Sequence, residues 1–245
     1  MIREGEALRL LRDVPDASID ALVTDPPYSS GGLMRGDRMS DPGGKYIQGA
    51  NADGKGGGRD FPTFSGDNRD ARSWLAWCMV WLAEARRALK PGAPALVFAD
   101  WRMLPTLTDA IQGGGFVWRS LIVWDKGLGA RAPHTGYARH QAEYVVFASN
   151  GPLMRAPGRG PFPGVLRHTV RRADKHHMTG KPTPLMRDLV RMTPPGGLVL
   201  DPFAGSGTTG VACALEGRRF LGFELEPQYA AIARRRLREA AEPRP

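Results

Sequence analysis

The feature that most constrains the fold is a glycine-rich turn near the end of the chain, placed between two apolar runs. The first run is residues 198–200, and the turn that follows contains Gly205. Residues 211–216 are compatible with a helix, and the second run, residues 220–223, ends at Glu224. Strand, glycine turn, helix and strand in this order predict a unit whose two strands are parallel. The sequence therefore predicts an α/β protein with a doubly wound, mostly parallel sheet.

The residues of this turn indicate the kind of ligand it binds. Glycines allow a backbone to approach a ligand closely, and a carboxylate after the second strand, here Glu224, can bind two ribose hydroxyls. The spacing of Gly205, Gly207 and Gly210 matches the dinucleotide fingerprint, so an NAD-dependent oxidoreductase is one interpretation. Asp201 precedes the glycines, and a carboxylate is unfavourable beside a pyrophosphate but favourable beside an ammonium group. S-adenosylmethionine carries an ammonium group, a ribose and an adenine, and is the alternative that the turn favours.

A second motif follows the apolar run at residues 21–24, which is typical of a short buried strand. Pro26 and Pro27 end this strand because proline cannot donate to the ladder. The motif then lies at the carboxyl end of the strand, where open α/β sheets bind their ligands. Asp25 can accept one hydrogen of an exocyclic amine, the Pro26 carbonyl can accept the other, and Tyr28 offers a flat face to a base. A proline turn with Asp25 as a helix cap is the simpler alternative.

Together, and in this order along the chain, the two motifs resemble those of the amino-directed DNA methyltransferases of the β group. In that family an Asp-Pro-Pro-Tyr segment is catalytic, which implies catalytic roles for Asp25, Pro26, Pro27 and Tyr28. The resemblance implies one Rossmann-like methyltransferase domain, residues 1–245, with an antiparallel hairpin at the sheet edge. It also implies S-adenosylmethionine as cofactor and DNA, double- or single-stranded, as partner. Adenine N6 is the expected target, because similar enzymes that modify cytosine N4 more often have Ser in place of Asp25; cytosine N4 stays the alternative.

The resemblance also implies which residues bind the cofactor. The family uses a Phe-x-Gly-x-Gly turn, an acidic residue after the next strand, a Gly-Asp pair near the amino terminus and a His-Pro-Thr-Gln-Lys-Pro segment. Residues 177–182 are similar to that last segment but depart from it at Met178 and Gly180. The implied cofactor-binding residues are Glu6, Asp25, His177, Thr179, Lys181, Asp201, Phe203, Ala204, Gly205, Ser206, Gly207, Thr208 and Glu224.

The charge of the chain favours a polyanionic partner. The formal net charge is +9 and the isoelectric point is near 10.1, as in many nucleic-acid-binding domains. Residues 151–177 are predicted to form a short, basic target-recognition insertion, and residues 31–66 a flexible loop near the active site. A non-catalytic nucleic-acid-binding module is the alternative that would use this charge alone. The candidate DNA-binding residues are Lys126, Arg131, Arg139, Arg155, Arg159, Arg167, Arg171, Arg172 and Lys175.

Two further patterns predict secondary structure. Residues 69–90 have the most regular helical pattern, in which Trp74 and Trp81 belong to an apolar stripe with a spacing of three or four residues. We expect this stripe to be core rather than part of a cofactor site, although the same helix is where a homodimer would form. Residues 117–124 and 143–148 are rich in β-forming residues and are predicted to pair as strands.

The two cysteines, Cys78 and Cys213, lie in apolar helical patterns and are expected to be buried thiols. Neither follows a proline, which argues against cytosine C5 chemistry because that reaction needs a Pro-Cys nucleophile. No apolar run is long enough to cross a membrane, and no metal site is expected. We therefore expect a cytoplasmic protein that associates with the nucleoid through its DNA substrate.

Overall fold

The computed structural model describes residues 1–28, 69–130, 132, 134–153, 160–169 and 180–242. Within these ranges the chain forms eight strands and six helices. The strands are β1 (Ile2–Glu4), β2 (Ala21–Thr24), β3 (Pro94–Ala99), β4 (Val117–Asp125), β5 (Ala142–Ser149), β6 (Val165–Arg167), β7 (Leu198–Asp201) and β8 (Arg219–Glu224). The helices are α1 (Ala7–Arg12), α2 (Ala71–Ala88), α3 (Leu104–Gly113), α4 (Thr183–Arg191), α5 (Thr208–Leu215) and α6 (Pro227–Ala241).

The described strands form one sheet in the order β1-β8-β7-β2-β3-β5-β4-β6. Neighbours from β1 to β3 are parallel, whereas β5 is antiparallel to both β3 and β4. The strand pair predicted at residues 117–124 and 143–148 is therefore confirmed as an antiparallel hairpin. The short strand β6 pairs in parallel with β4 and lies outside the hairpin.

Helices cover both faces of the sheet because successive residues of a buried strand point to opposite sides. In β2, Leu22 belongs to a core cluster with side chains of α1, α2 and α3. Ala21 and Val23 belong to a second cluster with side chains of α4, α5 and α6. In β3, Val97 and Phe98 divide between the two clusters in the same way. The predicted doubly wound α/β architecture is thus confirmed.

The helix predicted at residues 69–90 is α2. Asp70 caps it, because its Oδ1 accepts the backbone N–H groups of Arg72 at 3.0 Å and Ser73 at 3.1 Å, donors that the helix itself leaves unpaired. Trp74 and Trp81 are fully buried, so the prediction that the apolar stripe is core is confirmed for both.

Both cysteines are free thiols buried in the core, as predicted. Burial raises the pKa of Cys213 to about 12 and raises the pKa of Cys78 further still. Both thiols are therefore protonated at neutral pH. None of the described helices has the length and apolar character needed to cross a membrane.

The sheet order brings the two sequence motifs together. The register pairs Leu22 of β2 with Leu200 of β7, so the carboxyl ends of these parallel strands are adjacent. The motif at residues 25–28 directly follows β2, and the glycine-rich turn directly follows β7. The two segments are far apart in the chain but both begin at the carboxyl ends of the parallel strands, on the same side of the sheet.

Candidate active site

A cavity of about 370 Å³ lies beyond the carboxyl ends of β2, β7 and β8. This volume is typical of small-molecule sites. All four residues of the motif at 25–28 line it. The predicted cofactor-binding residues that also line it are Glu6, Asp25, Lys181, Asp201, Phe203, Ala204, Gly205, Ser206, Thr208 and Glu224. Among the predicted cofactor-binding residues that the structure describes, Gly207 alone does not line the cavity.

The carboxylate of Asp25 is held from two sides. The Tyr28 hydroxyl donates to its Oδ1, and the Lys181 ammonium donates to its Oδ2 at 2.5 Å. The indole of Trp74 donates to the Pro27 carbonyl at 2.7 Å and so fixes the backbone of the motif against α2. A carboxylate has about four lone pairs, so both oxygens of Asp25 can each accept a further hydrogen bond from a ligand.

Lys181 lies between two carboxylates at the edge of the cavity. Its side chain is 8% exposed, and its ammonium is 3.4 Å from Glu143 Oε2 in addition to its bond with Asp25. Lys126 donates to the other oxygen of Glu143 at 3.1 Å. Burial lowers the pKa of Lys181, but the two carboxylates outweigh burial and raise it above its usual value. Lys181 is therefore a cation at neutral pH.

The Lys181 contact adds to the predicted role of this residue. The resemblance placed Lys181 among the cofactor ligands, whereas the structure pairs its ammonium with the motif at 25–28. Burial raises the pKa of Asp25, and the Lys181 cation opposes that effect. Glu143 was not predicted as a site residue, because an acid at the start of a strand carries no local signal that its partner lies elsewhere in the chain.

Asp201 joins the strands that carry the two motifs. Its Oδ1 accepts the Thr24 hydroxyl of β2 at 2.7 Å and the Phe203 N–H at 3.1 Å. Its Oδ2 accepts the Thr209 hydroxyl of α5 at 2.6 Å. Asp201 is 2% exposed, and burial raises its pKa to about 6. The carboxylate therefore organises the turn, and its predicted contact with the ammonium group of the cofactor stays a prediction.

Two other acids bind backbone N–H groups at the rim of the cavity. Glu224 accepts the N–H of Gly205 at 2.7 Å and that of Glu226 at 2.9 Å, which fixes the glycine turn against β8. Glu6 caps α1 by accepting the N–H groups of Leu8 and Arg9. Burial raises the pKa of Glu224. Both acids line the cavity, and their roles in cofactor binding stay predictions.

The three glycines of the fingerprint have different roles. Gly205 has a φ of +51°, and an added Cβ would meet no atom within 4 Å, so space next to it is open. Gly207 has a φ of +81°, and its Cβ would lie 2.8 Å from Ala233 Cβ of α6. A Cβ at Gly210 would lie 2.6 Å from the Phe220 ring. Packing against α6 and Phe220 therefore explains Gly207 and Gly210, whereas Gly205 combines a positive φ with open space beside the cavity, and its predicted contact with the cofactor stays a prediction.

Sequence reasoning missed an aromatic wall that α2 contributes to the cavity. Trp77 lines the cavity, and its ring centroid is 5.4 Å from that of Phe203. The Arg69 guanidinium lies 4.8 Å from the Trp77 ring centroid and also lines the cavity. Trp77 is one position away from the buried stripe of α2. A large aromatic residue next to the apolar stripe, but outside it, was the sequence signal that could have identified Trp77 as a cavity residue.

Three of the candidate DNA-binding residues are described by the structure. Lys126 is paired with Glu143, Arg167 lies 3.5 Å from the Asp125 carboxylate with its side chain 83% exposed, and Arg139 donates to the Ala130 carbonyl at 3.0 Å. The other candidates lie outside the described residues; they are Arg131, Arg155, Arg159, Arg171, Arg172 and Lys175. His177, Thr179, the predicted loop at 31–66 and most of the predicted insertion at 151–177 lie outside them as well.

Comparison with solved structures tests the fold. The crystal structure of the M1.HpyAVI–SAM complex has a TM-score of 0.69 at 21% identity and covers 97% of this chain and 98% of that chain. PvuII DNA methyltransferase, described as cytosine-N4-specific, has a TM-score of 0.70 at 20% identity and covers 96% of this chain and 85% of that chain. The predicted Rossmann-like methyltransferase fold is confirmed.

Comparison of sequences tests the family. The Type II methyltransferase M2.DpnII of Streptococcus pneumoniae is 29% identical over 251 residues, which cover 95% of this chain and 87% of that protein. A family model described as DNA methylase matches residues 19–154 and 161–235. The match includes both motifs and most of the chain, and it favours neither the oxidoreductase nor the non-catalytic alternative. The chain therefore belongs to the DNA methylase family.

Proposed function

We propose that the protein transfers the methyl group of S-adenosylmethionine to the N6 amine of adenine in DNA. The observation that carries this proposal is that residues 25–28 and the turn at residues 201–210 line one cavity. The first segment supplies acceptors for an amine, and the second supplies space and an acidic rim for the cofactor. Direct transfer requires both reactants to be held next to one another, and this shared cavity is suited to that task.

The surroundings of Gly205 fit the cofactor. The space beside Gly205 is open, and the Glu224 carboxylate lines the same cavity and can accept from a ribose hydroxyl. Phe203 and Trp77 offer apolar faces to an adenine ring. The related structure of M1.HpyAVI was determined with this cofactor, which supports the assignment. When bound, the cofactor supplies a methyl group that its sulfonium makes electrophilic.

The motif at residues 25–28 acts on the target amine. The lone pair of the adenine amine is delocalised into the ring, which makes it a weak nucleophile. When Asp25 and the Pro26 carbonyl accept its two hydrogens, the nitrogen becomes more tetrahedral and the lone pair more available. The new N–C bond forms as the C–S bond breaks, and the sulfur keeps the electron pair. The proton that the amine must lose passes to the Asp25 carboxylate and then to solvent.

Lys181 and Tyr28 position the groups that act. Lys181 holds Asp25 Oδ2 at 2.5 Å, so the carboxylate has one orientation toward the cavity. Tyr28 lines the same cavity and presents its ring to the base. A base inside a duplex cannot reach these residues, so the target is extruded from the helix or is already unpaired.

The amine of cytosine is the second candidate target. PvuII DNA methyltransferase shows that a cytosine-N4-specific enzyme has this fold. The resemblance favours adenine because Asp25 occupies the position where N4 enzymes more often have Ser. The test is to incubate the protein with cofactor and genomic DNA, digest the DNA and identify methylated nucleosides by mass spectrometry. We expect N6-methyladenine; N4-methylcytosine would replace the proposed target, and DNA without either product would reject the proposed function.

We propose one domain over residues 1–245, with DNA contacts from the basic residues named above. A homodimer through α2 would need a face other than that of Trp74 and Trp81, because both are buried. Met79 and Val80, which are 38% and 48% exposed, provide such a face. Sedimentation of a Val80→Glu variant would test it, since a charge there should dissociate the dimer.

A further inference from the structure

Four exposed or partly exposed rings form a continuous row that belongs to neither motif. Trp101 follows β3, and His134, Tyr137 and His140 lie in the connection between β4 and β5. The ring centroids are 6.1 Å apart for Trp101 and His140, 6.0 Å for His140 and Tyr137, and 5.2 Å for Tyr137 and His134. Trp101 is 48% exposed and Tyr137 is 49% exposed. We call these four residues the aromatic platform.

The aromatic platform lies at the same edge of the sheet as the active site. The parallel register of β2 and β3 pairs Thr24 with Val97, so the residues that follow both strands leave the sheet together. Phe98, three residues before Trp101, has its ring centroid 5.0 Å from the Lys181 ammonium that binds Asp25. The aromatic platform is therefore a neighbour of the motif at residues 25–28.

Two cationic side chains, Arg102 and Arg139, are adjacent in sequence to rings of the aromatic platform. Arg139 is exposed within the same connection and donates to a neutral carbonyl. Among the described residues no carboxylate lies within ion-pair distance of the Arg139 guanidinium. Arg102 lies 5.9 Å from the Trp101 ring centroid and is paired with Asp100. Flat rings next to a cation that has no carboxylate partner within the described part of the chain match a ligand that has both π-faces and negative charge, which describes an unpaired nucleic-acid strand.

We propose that the aromatic platform stacks unpaired nucleobases beside the base that enters the cavity, so that the substrate is held as a locally opened or single strand. This inference rests on the proposed function, because it identifies the form of DNA that the same site receives. Stacking on aromatic residues tolerates any base, since every base has a π-face. The aromatic platform would thus add affinity for unpaired DNA without adding sequence preference.

The test measures binding of a fluorescently labelled oligothymidine, on the order of 15 nucleotides long, to the full chain without cofactor. Oligothymidine contains neither adenine nor cytosine, so its binding is independent of the target base. We expect Trp101→Ala and Tyr137→Ala each to weaken binding by about tenfold, and Trp101→Phe to restore most of the loss. Since no charge is removed, the slope of affinity against salt concentration should not change.

Trp118→Ala is the matched control. Trp118 is 44% exposed, so it resembles Trp101 in exposure. It lies near the start of β4, at the end of the sheet opposite the active site. The control should bind oligothymidine as the unmodified chain does. Thermal unfolding of each variant establishes whether it is folded. If Trp101→Ala does not fold, the binding measured for Tyr137→Ala decides the outcome.

Three results would overturn the inference. The first is unchanged affinity of the folded platform variants. The second is an equal loss in Trp118→Ala. The third is a change from dimer to monomer in Trp101→Ala during sedimentation, which would make the surface a contact between two copies. A chain that binds oligothymidine through the aromatic platform but methylates no DNA would reject the proposed function while still showing that the platform binds an unpaired strand.

Discussion

Asp25 and Asp201 stand at the ends of adjacent parallel strands but have different surroundings. Asp201 is 2% exposed and binds two hydroxyls and a backbone N–H, all neutral donors. The Asp25 side chain is 25% exposed, and one of its two donors is the Lys181 cation. A carboxylate enclosed by neutral donors joins strands, whereas one that is held by a cation and open to a cavity can receive a ligand.

The largest expected effect is on catalysis when Asp25 loses its charge. Asp25→Asn keeps the shape of the side chain but weakens acceptance of the amine hydrogen and of the proton. We expect the single-turnover rate of methyl transfer to fall by about 10³-fold, with cofactor affinity within about twofold of normal. Asp201→Asn is the matched control, and its rate should fall far less. Comparable rate losses in the two variants would remove the contrast.

The next effect is on stability and its dependence on pH. The pKa of Asp201 is raised from 3.8 to about 6 in the folded protein. The folded state therefore holds the proton more tightly, so this group stabilises the fold below about pH 4, and the contribution is lost as pH rises through 6. The difference corresponds to about 3 kcal/mol. Urea unfolding of the unmodified chain and of Asp201→Asn at pH 4.5 and 7.5 should show most of this loss in the unmodified chain and none of it in the variant.

A smaller effect is expected when the cation between the two carboxylates is removed. Lys181→Gln leaves only the Tyr28 hydroxyl to oppose the effect of burial, so the pKa of Asp25 should rise and the acid limb of the kcat profile should move to higher pH. We expect kcat at neutral pH and saturating DNA to fall by about tenfold. Lys126→Gln is the control, because Lys126 contacts Glu143 but not Asp25. An unshifted acid limb in Lys181→Gln would contradict the role assigned to this cation.

The smallest effects separate the glycines of the turn. Gly205→Ala fills open space beside the cavity and should weaken cofactor binding by about tenfold, with about 1 kcal/mol of strain from its positive φ. Gly210→Ala collides with the Phe220 ring and should lower the free energy of unfolding by about 1 kcal/mol. Calorimetric titration and urea unfolding distinguish the two; a larger cofactor defect in Gly210→Ala would reverse the assignment.

The fold was largely predictable because its signals are local. Prolines end the apolar run at residues 21–24, and glycines follow β7, so each strand end is visible in the local sequence. Parallel strands place these ends on the same side of the sheet. The hairpin at 117–124 and 143–148 was predictable from composition. The outer strand β6 was not, since three residues, Val165–Arg167, are too short to form a pattern.

The site was less predictable where a role depends on a distant partner. Nothing near Lys181 indicates that its ammonium binds Asp25, which is 156 residues away in the chain. The spacing of Gly207 and Gly210 matches a ligand-binding fingerprint. Both must be glycine, however, because a Cβ would collide with α6 at Gly207 and with the Phe220 ring at Gly210. Trp77 was missed because helical periodicity marks the buried face and leaves the helix edge unassigned.

The most direct test of the central claim is a crystal structure of the protein with S-adenosylmethionine and an oligonucleotide. The account predicts that the cofactor occupies the cavity against Gly205 and Glu224, with its methyl group directed toward Asp25. It also predicts an unpaired adenine between that methyl group and Tyr28. A cofactor bound outside this cavity, or a methyl group directed away from Asp25, would contradict it.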